Sequence, residues 1–311
     1  MTYTHIDCFC GPGGICTGLH AAGFETLVAI EYIKSCVETY SANHPEVHVI
    51  HSDIRDVTAE QILPYIPSDG VDLVTSGMPC ETFSTAGNSS RAAYDDRQFL
   101  FREGIRIAQI ANARMILFEN VPMITTKRVA KTSKKLVLDV MKKELIEAGY
   151  GNFKQFIIDA EKYGVPQKRK RFFLLASRNP DDEITAPEIT TTKEVTVREA
   201  FCDIPPVVAN TWTENPMYLS ETSEYTRLMR DDTFWRRKTK ENKLLNHLPM
   251  NHRAYIIERF HMLRQGEGLK GLFARLDEEE LKELQKRKVM PKVVYVKRNY
   301  RLSWDEPSPT V

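Results

Sequence analysis

Residues 76–88 read SGMPCETFSTAGN, and in them a single cysteine, Cys80, follows Pro79 where the apolar run Leu73–Ser76 gives way to a polar loop. A packing cysteine hides in a core. A cysteine pushed into the open at a strand end is placed to act as a thiolate nucleophile. Glu119, in ILFENVP (116–122), closes a second apolar run. In YGVPQKRKRFF (163–173), Arg169 and Arg171 alternate, so in an extended segment both point the same way. Together they supply a nucleophile, an acid and cationic hydrogen-bond donors.

A second group concerns a ligand. IDCFCGPGG (6–14) is a strand followed by a glycine turn and a helix start. Glycine allows the tight turn and a close backbone approach. Taken alone, the cluster is also compatible with a plain strand-to-helix turn. A dinucleotide fingerprint starting at Gly11 would need glycine or alanine where Cys16 stands, so the turn suits a nucleoside better than a pyrophosphate. Glu31 ends the next strand, where an acid accepts from ribose hydroxyls, and Asp53 follows the third strand, within reach of an adenine amino group. Asp7 is expected to brace the turn from within, a position that requires donors around a buried acid.

The elements that must position these groups follow a βαβα rhythm. Strands are expected at 5–9, 26–31, 48–50, 73–76, 115–119, 153–159 and 171–177, and helices at 14–22, 34–43, 58–63, 98–113 and 135–148. The fold class is therefore α/β, a doubly wound and mainly parallel sheet. The last two strands lack a helix between them and are expected to form an antiparallel edge. The strand ends of such a sheet meet over one crevice, which brings Cys80 and Glu119 together beside the nucleoside pocket. The rhythm stops near Asn179-Pro180. Residues 1–180 are thus expected to form the catalytic and cofactor-binding domain, and 181–311 a smaller irregular region. That region holds basic clusters at 227–243 and 282–301, suited to phosphate, and a helix at 277–288 with acids first and bases last.

The whole chain has 311 residues, 42% hydrophobic and 27% charged, with a net charge of +1. This is an ordinary globular composition with no overall electrostatic bias. No run reaches transmembrane length and no signal peptide is evident, so a cytoplasmic protein without membrane partners is expected. The six cysteines form no C-x-x-C pair, and no metal centre is expected. Cys8, Cys10, Cys16, Cys36 and Cys202 read as packing residues, and His247 and His252 as ordinary histidines.

The order DCFCGPGG, Glu31, Asp53, GMPCETFS, ENV, QKRKR resembles the DNA cytosine-5 methyltransferases, over about residues 5–177 and more weakly through TVREAFCDIPP (196–206) and YRLSWDEPSPTV (300–311). The resemblance implies S-adenosylmethionine as cofactor, held by Phe9, Gly11, Pro12, Gly13, Gly14, Glu31, Asp53, Ile54 and Pro79, and cytosine in duplex DNA as substrate. It implies that Cys80 attacks carbon 6, that protonated Glu119 bonds ring nitrogen 3, and that Arg169 or Arg171 holds the carbonyl oxygen. The base must be flipped out of the duplex. The segment STAGNSSRAAYDDR (84–97), with Ser84, Asn88, Arg91 and Arg97, then closes on DNA, as does Gln167.

Two departures stand out. Glu81 replaces the usual glutamine after the cysteine, and the family's later R-x-L-T-x-R-E and G-N-x-V stretches do not follow YRLSWDEPSPTV. Either a second polypeptide supplies them, with the surface near 290–311 as its interface, or the sequence is a fragment; the split enzyme is the favoured expectation. The alternatives are a tRNA cytosine-5 methyltransferase, which shares the catalytic motifs, and a non-catalytic DNA-binding subunit of the same fold. A nicotinamide dehydrogenase is disfavoured by Cys16.

Overall fold

In the computed structural model, which describes residues 2–79, 96–130, 132–211, 216–236, 244–293 and 299–310, the apolar runs become one sheet. Its strands are β1 (Tyr3–Cys8), β2 (Phe24–Glu31), β3 (His48–His51), β4 (Leu73–Ser76), β5 (Met115–Asn120), β6 (Asn152–Asp159) and β8 (Lys170–Ser177). Two-residue β7 (Gln167–Lys168) pairs elsewhere, in parallel with β9 (Ser308–Pro309). The sheet order is β3-β2-β1-β4-β5-β8-β6. Pairing is parallel from β3 to β5, and β8 runs antiparallel to β5. β1 and β4 are buried at their inner ends, as strands covered on both faces must be.

The helices between them are α1 (Gly14–Ala21), α2 (Lys34–Asn43), α3 (Ala59–Ile62), α4 (Phe101–Ile110) and α5 (Val137–Glu147). The expected helix at 98–113 begins later, because Asp96–Phe99 is a 3-10 turn. α4 lies close on β4: a Cβ on Gly104 would come within 2.7 Å of the Ser76 hydroxyl. One core joins the sheet to these helices through Ile6, Val28, Val74, Phe101, Ile107 and Phe118, all fully buried or nearly so.

The chain divides into two compact units, one of 1–158, 170–188 and 234–236, the other of 159–169, 189–233 and 237–311. The second unit carries α6 (Val197–Phe201), α7 (Glu224–Met229), α8 (Ala254–Met262), α9 (Leu269–Arg275) and α10 (Glu278–Lys286). Leu263, Leu269, Leu272, Leu284, Val289 and Met290 form its own core. Asp277 caps α10 by accepting from the backbone of Glu279 and Glu280, which starts the helix where the acidic run predicts. Part of the segment expected to face a partner is bonded within the chain. Ser308 and Pro309 pair with β7, and the Trp304 and Glu306 carbonyls accept from the backbone of Arg198 and Val197.

Several basic residues expected to meet phosphate also have protein partners. Arg230 pairs with buried Asp203 and lies 3.7 Å from the Tyr218 ring centre; Arg287 pairs with Glu258. Between the two clusters, Arg259 is buried, donating to the Val289 and Lys288 carbonyls. No helix among the described residues is long and apolar enough to cross a membrane.

Candidate active site

The strand order reverses between β1 and β4, and ligands of such sheets bind in the crevice outside the carboxyl ends of the strands there. β1 leaves the sheet through Phe9, whose φ of 58° is left-handed, a conformation strained for a bulky residue and concentrated at functional sites. Gly11 continues at φ 54°, and its N–H donates to Glu31 Oε2 at 2.9 Å. Glu31 Oε1 accepts from the N–H groups of Tyr32 and Ile33 at 2.9 and 2.8 Å. Three backbone donors thus fix this buried carboxylate at the end of β2, and Oε2 keeps a further acceptor direction.

Asp53 caps the 3-10 turn Ile54–Asp56 and holds Arg55 through both oxygens. That guanidinium keeps the Asp53 carboxyl below the usual range. The turn is anchored from behind by Arg106 of α4, which donates to the Ile54 and Val57 carbonyls at 2.6 and 2.7 Å and pairs with Glu103.

Between these groups lies a cavity of about 260 Å³. Phe9, Glu31, Asp53, Ile54 and Pro79, all anticipated from the sequence, line it together with Arg97. Ile30, Tyr32, Ile33, Ser52, Arg55, Gly77 and Leu100 complete the wall and were not anticipated; the one signal for Tyr32 is an aromatic residue directly after the strand-end acid. Arg97, expected on DNA, stands on this wall. Gly11, Pro12, Gly13 and Gly14 form the turn beside the cavity without lining it. Gly13, at φ 97°, makes room for protein rather than ligand, since a Cβ there would lie 3.0 Å from His44 Nε2.

Asp7 lies beneath the turn, fully buried. Thr75 donates to its Oδ1 at 2.7 Å, whereas Oδ2 has no hydrogen-bond partner. Burial pushes Asp7 up to about 7, opposed by the Thr75 hydrogen bond. The Thr75 hydroxyl also meets His5 Nε2 at 2.8 Å, and His5 Nδ1 meets Thr26 at 2.9 Å. Burial holds His5 down to about 3.

At the end of β5, Glu119 Oε1 lies 2.8 Å from Arg171 Nε, both side chains mostly buried. Glu119 stands opposite Phe173 in the β5–β8 ladder, which makes Arg171 its diagonal neighbour on the same face. The next residue, buried Asn120, donates to the Met78 carbonyl at 3.2 Å and accepts from Val121 N–H at 2.8 Å, tying the end of β5 to the chain two residues before Cys80. Nothing but its place in ENV marked Asn120 beforehand.

Arg169 and Gln167 belong to the second unit: the Arg169 N–H donates to Glu161 Oε2 at 3.3 Å, and Gln167 pairs with Ser308. Cys80, Glu81, Ser84, Asn88 and Arg91 lie outside the described residues. Of the packing cysteines, Cys8, Cys10 and Cys16 are buried, and Cys36 and Cys202 are partly so. His247 bonds the Pro205 carbonyl.

A mainly parallel sheet in this order, with a nucleoside-sized cavity at its switch point, defines the Rossmann-like methyltransferase class. Residues 3–306 match the family model of C-5 cytosine-specific DNA methylases, and the chain belongs to that family. It is 30% identical over 267 residues to Type II methyltransferase M1.HphI of Haemophilus parahaemolyticus, covering 86% of this chain and 62% of that protein. It is 29% identical over 271 residues to Type II methyltransferase M.DdeI of Desulfomicrobium norvegicum, covering 85% and 62%. The chain therefore spans about three-fifths of the length of these two relatives. A solved DNA modification methyltransferase encoded within an E. coli prophage superposes with a TM-score of 0.70 at 21% identity, over 99% of this chain and 82% of that one, a likeness of fold.

Proposed function

We propose that this chain transfers a methyl group from S-adenosylmethionine to carbon 5 of cytosine in duplex DNA. The observation that carries the reading is the Glu119–Arg171 pair at the same sheet edge as a cavity whose wall includes Pro79, the residue before Cys80. The cavity fits an adenosine. Its volume, near the lower end of the roughly 300–1,000 Å³ of ligand pockets, is bounded by apolar Phe9, Ile54 and Leu100 and by two carboxylates. Glu31 is oriented for ribose hydroxyls and Asp53 for an amino group. S-adenosylmethionine would supply an electrophilic methyl group beside the target base.

Carbon 5 of cytosine is a poor nucleophile. Addition of the Cys80 thiolate to carbon 6 breaks the aromatic system and pushes an electron pair toward carbon 5 and nitrogen 3. Glu119 stabilises that charge by hydrogen bonding at nitrogen 3, and Arg171 holds Glu119 in place. Carbon 5 would take the methyl group as the cofactor's methyl–sulfonium bond breaks, and loss of the carbon 5 proton to water would then return the electron pair that expels the Cys80 thiolate.

The basic second unit is assigned to DNA, and the relatives' Type II names support a role in restriction-modification, in the cytoplasm. A second polypeptide draws no support from the fold or the relatives and is not part of this reading. Labelled methyl transfer tests it: the purified chain is expected to label duplex DNA and not tRNA, and Cys80→Ser to label neither. Labelling of tRNA alone, or turnover retained in Cys80→Ser, contradicts it.

A further inference from the structure

Behind the glycine turn, away from the cavity, the last turn of α1 meets the connection from α2 to β3. His20, His44 and Glu46 converge there, with one ligand atom from each within 4.8 Å of the others. His20 Nδ1 and Glu46 Oε1 are 3.8 Å apart, too far for a hydrogen bond. That spacing is close to the roughly 3.3–3.5 Å between two ligands on one tetrahedral ion with bonds of about 2.0–2.1 Å.

The tautomer of His44 follows from its neighbours. The Thr17 hydroxyl donates to the Gly13 carbonyl at 2.8 Å, so its oxygen accepts from His44 Nε2–H at 3.2 Å. This leaves Nδ1 with its lone pair and gives the ring the second hydrogen bond that metal-binding histidines characteristically have.

We infer that His20, His44 and Glu46 form a site for one divalent cation of the zinc type, which ties the end of α1 to the α2–β3 connection. Two imidazoles and one carboxylate suit a borderline-soft ion, whereas magnesium and calcium prefer oxygen ligands throughout. A water completes the fourth position. The site supports the cofactor turn from behind: the His44 ring lies flush against Gly13 and 5.0 Å from the Tyr40 ring, so an ion that fixes His44 fixes the turn. Bound only in the folded state, it stabilises the chain by mass action.

The test uses the full chain, without an affinity tag and stripped by chelator, titrated with Co²⁺ and then Zn²⁺. The expected result is a tetrahedral Co²⁺ absorption band saturating near one equivalent, displaced by Zn²⁺, with a thermal midpoint that rises with Zn²⁺. His20→Ala should lose the band and the rise. Thr17→Val should weaken binding by roughly 10–100-fold. If His44→Ala does not fold, His20→Ala and Glu46→Gln, both on less buried positions, carry the comparison. A midpoint unmoved by Zn²⁺, as a simple His20–Glu46 ion pair would give, overturns the site. So does binding by His20→Ala within twofold of the parent.

Discussion

Asp7 is a fully buried carboxyl between His5 and the glycine turn, and its protonation has a measurable consequence. Its folded value of about 7 exceeds the unfolded 3.8, so the folded state binds the extra proton between those values and gains stability as pH falls through 7. His5 does the reverse: held near 3 against 6.5 unfolded, it costs stability as pH falls below 6.5. The two offset each other between about pH 4 and 6.5. Asp7→Asn removes one side, and urea unfolding should show it losing on the order of 2 kcal/mol more than the parent between pH 7 and 5. Parallel pH profiles would show that Asp7 does not carry this proton. For Glu119→Gln, single-turnover rates should fall by about 100-fold or more while DNA affinity changes little, as for loss of a general acid.

Helix α4 carries two positions that the rhythm of the sequence could not distinguish from an ordinary amphipathic helix. Gly104 admits the close approach to Ser76 on β4, so Gly104→Ala should destabilise by roughly 1–3 kcal/mol in denaturant melts, with the α4 side overpacked. Arg106 reaches across to the turn after β3. Arg106→Met should leave two carbonyls without their donor and weaken S-adenosylmethionine binding about tenfold by calorimetry, with a smaller effect on the rate of the bound complex. The strands of the main sheet were legible to within two residues, because apolar runs between polar turns leave few options; Leu73–Ser76 matches as read, as does helix α2, Lys34–Asn43. What escaped was side-chain reach across elements. Arg106 on Val57, Asn120 on Met78 and the His20–His44–Glu46 cluster join residues 24 to 49 apart in sequence, and no local pattern encodes such meetings.

At the scale of the whole molecule, Arg171, read from the sequence as a donor to the base, pairs with Glu119, while Arg169 belongs to the second unit. Residues after 225 carry the basic clusters, yet Arg230, Arg259 and Arg287 already serve protein contacts. Their charge was legible; their partners, Asp203, the Val289 carbonyl and Glu258, were not, since each lies about 27 to 30 residues away. The central claim is a bond between Cys80 sulfur and carbon 6 of an extruded cytosine. It is tested most directly with duplex DNA containing 5-fluorocytosine. Fluorine at carbon 5 cannot leave as a proton does, so methyl transfer should leave the enzyme attached. The account predicts a denaturation-resistant protein–DNA adduct, dependent on S-adenosylmethionine, that peptide mass spectrometry maps to Cys80. Methylation of normal duplex by the same preparation, with no adduct on the fluorinated one or with an adduct at another residue, would contradict it.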